Sequence, residues 1–222
     1  MAMDHSGEVF VFPRWTRVVR PAIAAAVAGG AIYAALVVWL GFSPRATDVG
    51  YAPEQPVPYS HALHVGQLGI DCRYCHNTVE RAAHAALPPT QTCMNCHAAV
   101  RKGSDKLIPV STSYATGMPV GWIRVHDLPD YVYFDHSAHV SRGVGCVSCH
   151  GRIDAMDVVY QAEPLSMGWC LDCHRNPERH LRPVELVFEL DWVPEEDQLA
   201  LGRRLREAAG INPPVDCNTC HR

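Results

Sequence analysis

All ten cysteines of this 222-residue chain occur as pairs separated by two residues, and each pair is followed at once by histidine. The five motifs are Cys72-Arg73-Tyr74-Cys75-His76, Cys93-Met94-Asn95-Cys96-His97, Cys146-Val147-Ser148-Cys149-His150, Cys170-Leu171-Asp172-Cys173-His174 and Cys217-Asn218-Thr219-Cys220-His221. No thiol is left over for a disulfide or a nucleophile. Zinc sites close with four ligands, usually two such pairs or one pair plus separate histidines, and five pairs each carrying its own histidine fit that poorly. The pattern instead predicts five covalently bound haem c groups, each held by two thioethers with the motif histidine as proximal iron ligand. With one motif per roughly 33 residues after His61, porphyrin has to supply much of the apolar core that side chains normally provide.

Low-spin haem iron takes a second axial ligand, so the motif histidines His76, His97, His150, His174 and His221 leave five distal positions to fill. Two of the candidates stand in YSHALHVGQLGIDCRYCH, where His61 and His64 are three residues apart just before the first motif. The arrangement recurs in FDHSAHVSRGVGCVSCH with His136 and His139. On a helical turn, residues three apart project to the same side with Cβ atoms about 5 to 6 Å apart, so such a pair cannot flank one porphyrin on opposite faces. Each histidine is therefore expected to reach a different iron, and each pair to clamp two haems together. The fifth distal ligand has to come from His84, His126, His180, Met118, Met156 or Met167. Met94 is trapped inside its own Cys-x-x-Cys loop, and His5 falls on the wrong side of the membrane segment described next.

Between Arg20 and Arg45 the chain carries no charge, and Pro21 to Ser43 reads PAIAAAVAGGAIYAALVVWLGFS. At about 1.5 Å per residue this run spans roughly 35 Å as a helix, enough to cross a bilayer. Arg14, Arg17 and Arg20 crowd its N-terminal side and Trp15 and Trp39 suit the two interfaces, which puts residues 1–20 in the cytoplasm and the rest outside. The apolar stretch is longer than that of a cleaved signal peptide, and the expectation is an uncleaved signal-anchor in a bacterial inner membrane, with the haem domain on the periplasmic side. Ala25 with Gly29 and Ala26 with Gly30 form small-xxx-small pairs suited to packing against another membrane helix.

Residues 44–58 read as an extended linker and 59–222 as the haem domain. Within it an internal repeat relates His61 to His136, Cys72 to Cys146 and Cys93 to Cys170 at offsets of 75, 74 and 77. Tyr59 matches Phe134, Val65 matches Val140, and Gly69 and Gly143 each stand three before the first cysteine. The modules are 59–100 and 134–183, followed by a C-terminal haem segment 184–222. The clearest helix is Glu195 to Ala209, with Leu199 and Leu205 facing inward and Gly210 as its stop. From Ser43 onward 16 Lys and Arg face 21 Asp and Glu, and haem propionates would add to that negative charge. An acidic domain argues against nucleic acid and favours partners with a basic rim.

The order of the membrane helix, HALHVGQLGIDCRYCH, LPPTQTCMNCH, RVHDLPDYVYFDHSAHVSRGVGCVSCH, MGWCLDCHRNPE and INPPVDCNTCHR resembles the pentahaem subunit of bacterial alternative complex III, a quinol:electron-acceptor oxidoreductase of the respiratory chain, over nearly the whole chain. That resemblance implies a multihaem cytochrome c fold with little regular secondary structure, short helices around stacked haems and cytochrome c3/c7-like modules. It implies electron transfer without independent catalysis, from quinol oxidation to a periplasmic acceptor such as a monohaem cytochrome c subunit or soluble carrier. It also implies an iron-sulfur subunit and polysulfide-reductase-type integral membrane subunits as partners. Since the family carries mainly bis-histidine haems and one His/Met haem, Met156 and Met167 become the leading fifth ligands, with His126 behind them.

Two other functions are weighed against this one. Membrane-anchored quinol dehydrogenases of the NapC/NrfH type can take as ligand a Met two residues beyond a motif histidine, and none of the five motifs here has one. A catalytic multihaem reductase needs an iron with an open position, and every distal position here has a candidate.

Overall fold

In the computed structural model residues 12–42 and 47–221 are described. His5, with the rest of the expected cytoplasmic segment up to residue 11, residue 43 at the end of the expected membrane segment, linker residues 44–46 and residue 222 lie outside that set. The chain divides into two units, Met1–Ala46 and Thr47–Arg222.

The first unit contains one helix, α1 (Thr16–Gly41), 26 residues long. It starts five residues before the Pro21 expected from the charge pattern, because Thr16 opens the turn itself: its N–H and Oγ1–H both donate to the Pro13 carbonyl, at 3.0 and 2.7 Å. Arg17 and Arg20 thus ride on the helix, and the edge of the uncharged run is not a helix boundary. At about 1.5 Å per residue α1 is roughly 39 Å long, and its length and composition are compatible with a single-pass membrane anchor.

The second unit is helical and, among the described residues, has no strand, only the isolated bridges Val132 to His221 and Val144 to Leu181. Its helices are α2 (Cys72–Cys75), α3 (Thr90–His97), α4 (Ile108–Thr116), α5 (His136–Val140), α6 (Val147–His150), α7 (Met167–Arg175), α8 (Gln198–Ala208) and α9 (Cys217–Cys220). A single π-helical turn covers Ala62–Gln67. This is the expected architecture of short helices joined by long connections. The helices α2, α6 and α9 are little more than the Cys-x-x-Cys turns themselves.

The protein core is small. Val79, Val140 and the fully buried Val187 pack with Ala85, Cys146 and Phe188. Large apolar side chains flanking the motifs, including Leu63, Leu68, Tyr74 and Leu87, stay exposed. That distribution is what a domain shows when the surfaces facing its prosthetic groups are apolar.

One expected helix face is corrected. In α8, Leu199 is exposed, while Leu201 and Gly202 are buried and Leu205 is half-buried. Gly202 lets the helix lie against the backbone of Glu178, where a Cβ would overlap the Glu178 carbonyl. The Arg206 to Glu178 ion pair, at 2.5 Å, fixes the same contact. Asp197 accepts from the Ala200 N–H at 2.9 Å, so this cap starts the helix at Gln198 instead of Glu195.

The repeated glycines also differ. Gly69 and Gly143 both have positive φ, +65° and +79°, but a Cβ on Gly69 would meet open space whereas one on Gly143 would strike the Arg182 carbonyl. Gly69→Ala should therefore cost about 1 to 2 kcal/mol of left-handed backbone strain. Gly143→Ala should add about 1 to 3 kcal/mol of overpacking. Thermal unfolding of the two holoprotein variants checks the difference.

Candidate functional site

The two histidine pairs occupy equivalent settings. Tyr59 stacks on His64 with ring centroids 4.4 Å apart and meets His61 edge-on at 4.9 Å. Phe134 stacks on His139 at 4.5 Å and meets His136 edge-on at 4.8 Å. An aromatic ring two residues ahead of each pair thus sets the orientation of both imidazoles. Sequence matching had paired Tyr59 with Phe134 without saying what they do.

Nearly every one of these imidazoles has its Nδ1 against a backbone carbonyl. Among the motif histidines, His76 meets Ala86 O at 2.9 Å, His97 meets Val100 O at 3.0 Å, His174 meets Pro214 O at 2.7 Å and His221 meets Tyr131 O at 3.2 Å. In the paired set, His64 meets Ser60 O at 2.8 Å, His136 meets Ala83 O at 2.8 Å and His139 meets Asp135 O at 2.7 Å. A carbonyl only accepts, so the proton must be on Nδ1 and the lone pair on Nε2, the tautomer that binds a metal. His61 is the exception, with a buried Nδ1 that has no protein partner. His150 is the other, with Nδ1 3.3 Å from Nε2 of His126.

The rings face one another across matching gaps. Centroids lie 6.2 Å apart for His64 and His97, 6.4 Å for His136 and His150, and 6.1 Å for His139 and His174. Two imidazoles on opposite sides of one ion, each bound at about 2.0 Å with the ring centre roughly 1.1 Å further out, have centroids about 6 Å apart. The residues therefore fit haem iron between them. Burial, reinforced by His76, pushes the pKa of His61 down to about 4. Burial, reinforced by His126 and His136, pushes that of His150 to about 3. Both are thereby kept neutral, the form that coordinates.

The cysteines form a connected series. Burial raises the thiols of Cys75, Cys146, Cys149 and Cys170, and a cysteine of another motif raises each of these four further: Cys93 acts on Cys75, Cys72 on Cys146, Cys173 and Cys170 on Cys149, and Cys220 on Cys170. These couplings report which attachment sites are neighbours. Asp71, Ser166 and Asp216 cap the turns carrying the first, fourth and fifth motifs. Beside the third, Gly145 leaves room for the buried Arg182, whose guanidinium lies over the Trp192 ring at 5.0 Å.

The candidates for the remaining distal position are scattered. Met156 is buried with its methyl against Gly151, Met167 is exposed at the start of α7, and Met118 and His84 are exposed. His180 is half-buried, with its pKa lowered by burial. His126 turns its Nε2 to His150. The carbonyls of Ala86, Val100, Pro214 and Tyr131 carry no sequence signal, since any residue type supplies one.

Against known proteins, the family described as cytochrome c7 and related cytochrome c matches residues 132–222, which hold the second histidine pair and the last three motifs. Over 149 residues the chain is 30% identical to the menaquinone reductase, multihaem cytochrome c subunit, of Nitratidesulfovibrio vulgaris, spanning 58% of this chain and 70% of that protein.

The capped first motif gives a pH-dependent prediction. Asp71 accepts from the Arg73 side chain at 2.9 and 2.6 Å and from its backbone N–H at 2.7 Å, which holds its carboxyl below the ordinary range. A depressed carboxylate stabilises the fold above its unfolded pKa and loses that contribution as pH falls through the folded one. Asp71→Ala should cost about 1 kcal/mol at neutral pH. In chemical denaturation of the holoprotein, the gap between variant and parent should close as pH drops below about 4.

Proposed function

The chain belongs to the multihaem cytochromes c, with a cytochrome c7-like domain, and from that premise we propose that it is the electron-relay subunit of a membrane quinone oxidoreductase of the alternative complex III kind. Five haem c groups would be held by Cys72 and Cys75, Cys93 and Cys96, Cys146 and Cys149, Cys170 and Cys173, and Cys217 and Cys220. When bound, each supplies an iron that alternates between ferric and ferrous states and so carries one electron. The observation that carries this reading is the set of ring gaps of 6.1 to 6.4 Å between histidines that sequence reasoning selected independently as proximal and distal ligands.

On this reading His64 pairs with His97, His136 with His150 and His139 with His174. His61 pairs with His76, the ring that follows burial in lowering its pKa. Each clamp thus serves two irons. The cysteine neighbours give a linear order of attachment sites: Cys93/Cys96, Cys72/Cys75, Cys146/Cys149, Cys170/Cys173 and Cys217/Cys220. For the fifth distal position we favour Met167. It begins α7 one turn before Cys170, its side chain is free at the surface, and Cys170 neighbours Cys220. A thioether ligand there would raise the potential of the terminal site above its bis-histidine neighbours.

The Pro21 to Ser43 region of the chain would anchor the subunit beside polysulfide-reductase-type membrane partners, with the haem domain on the periplasmic side. Electrons from quinol oxidation, delivered with the iron-sulfur subunit, would leave to a monohaem cytochrome c or soluble carrier. A second reading keeps the relay and reverses its direction: the relative in Nitratidesulfovibrio vulgaris is named a menaquinone reductase, which favours flow into the quinone pool. Reduction of the intact complex by menaquinol, compared with quinone-dependent reoxidation after reduction by an external cytochrome, separates the two directions.

His64→Ala and His139→Ala should each turn one low-spin haem high-spin, with the other four unchanged by EPR and visible spectroscopy. Replacing Cys146 and Cys149 by Ser should stop electrons crossing from one end to the other in the complex, whereas replacing Cys217 and Cys220 should leave the other four reducible together. Unimpaired crossing without the middle site would sink the linear order. Met167→Leu should give a fifth, separate high-spin signal.

A further inference from the structure

We infer that His126 is a positioning residue for the proximal ligand His150, holding it by a side-chain acceptor at the one motif where the protein offers no backbone carbonyl. The inference rests on the proposed pairing of His136 with His150. The His136 ring lies nearly parallel to that of His150, at 10° with centroids 6.4 Å apart, a spacing that would admit an iron between them. His126 meets the His150 ring at its Nδ1. Its Nε2 is 3.3 Å from Nδ1 of His150, and the rings meet edge-on at 77° with centroids 4.4 Å apart. If His150 gives its Nε2 lone pair to iron, its proton is on Nδ1, so His150 donates and His126 accepts. An imidazole in that place cannot also be the distal ligand of the same iron.

The segment carrying His126 is pinned on both sides. Gln55 accepts from the Ile123 N–H at 2.9 Å and donates to the Ile123 carbonyl at 2.8 Å. Arg124 pairs with Asp127 at 2.6 Å. Five residues on, the same segment presents Tyr131 O to His221. One short stretch of chain therefore supplies the Nδ1 acceptors for the third and the fifth motifs. An imidazole nitrogen is a stronger base than an amide carbonyl, so the bond gives His150 more imidazolate character and makes it a stronger donor to ferric iron. That lowers the reduction potential of the third site relative to one with a carbonyl acceptor.

The test uses the full holoprotein in its membrane complex, with redox titration by visible spectroscopy and EPR of the oxidised state. In His126→Leu one midpoint potential should rise and one low-spin signal should shift its largest g value, with haem content and spin state unchanged. His126→Gln, whose Oε1 can take the place of Nε2 as acceptor, should recover most of both shifts. Should the Leu variant assemble poorly, His126→Asn carries the comparison, since its shorter amide falls away from Nδ1 and should behave as the loss. Unchanged potentials and g values in both the Leu and Asn variants would overturn the inference, as would a high-spin haem, which would make His126 an iron ligand. His136→Ala reports the underlying pairing separately: if it leaves all haems low-spin, that pairing is at fault whatever His126 does.

Discussion

The hydrogen bond from imidazole Nδ1 to a backbone carbonyl is the constraint around which this domain is built. An imidazole offers Nε2 to a metal only while its proton is kept on the other nitrogen, and a carbonyl keeps it there without being able to donate in return. A carbonyl inside a helix is already committed to an N–H four residues on. The free ones here come from irregular chain: Ala86, Val100, Tyr131 and Pro214 all lie outside helices. The loop-rich fold follows from that need. A longer, more regular helical bundle would have fewer carbonyls to spare for its histidines.

The same need ties distant parts of the chain together. The tail at Pro214 reaches back to His174, and the last motif docks on the 131–133 segment, where Tyr133 N–H donates to Cys220 O at 2.8 Å beside the Val132 to His221 bridge. The 82–84 loop of the first module receives both N–H and Nδ1–H of His136 at the Ala83 carbonyl, at 3.1 and 2.8 Å. Beside a core as small as Val79, Val140 and Val187, three of these ligand-orienting bonds, His136 to Ala83, His174 to Pro214 and His221 to Tyr131, also serve as tertiary ties. Stability and ligand geometry are therefore held by the same interactions, and a domain that loses its prosthetic groups loses what those bonds are there to orient.

Much of this was legible in the sequence for a physical reason. Covalent attachment needs a fixed local spacing, so the Cys-x-x-Cys-His turns announce themselves, and the repeated spacing of His61 with His64 and of His136 with His139 marks those four histidines as candidates. The long apolar helix was visible in its missing charges, though its start at Thr16 was not, because helix formation does not stop at arginine. What could not be read depends on backbone groups or on tertiary contact. Leu199 appeared to belong to the inner face of α8 by period alone, but the helix is rotated so that Gly202 can approach Glu178. In the sequence His126 reads as one more candidate ligand, and its approach to His150 is a tertiary contact that spacing does not show. The π-helical turn under the first pair, against the α-helical turn under the second, likewise reflects packing, since Gly66 lies so close to the Asp154 carbonyl that a Cβ there would overlap it.

The order of sites in space has its own logic. On the proposed pairing the first histidine of each clamp would serve its module's first motif and the second its second, which would make each module the same two-site unit. Were the units joined head to tail, the second motif would neighbour the third. Instead Cys72 acts on Cys146, and His76 and His61 act on His150, which favours units meeting through their first sites. The proposed order would then be head to head, with the second motif at one end. At the other end the tail adds the fifth motif beside the fourth. On that proposal a duplicated clamp would extend into a single line of five sites, and the two ends would differ because only one carries the added segment. If Met167 is the ligand there, the asymmetry of the line in sequence becomes an asymmetry of potential, and the end at which electrons settle is set by the piece of chain outside the repeat.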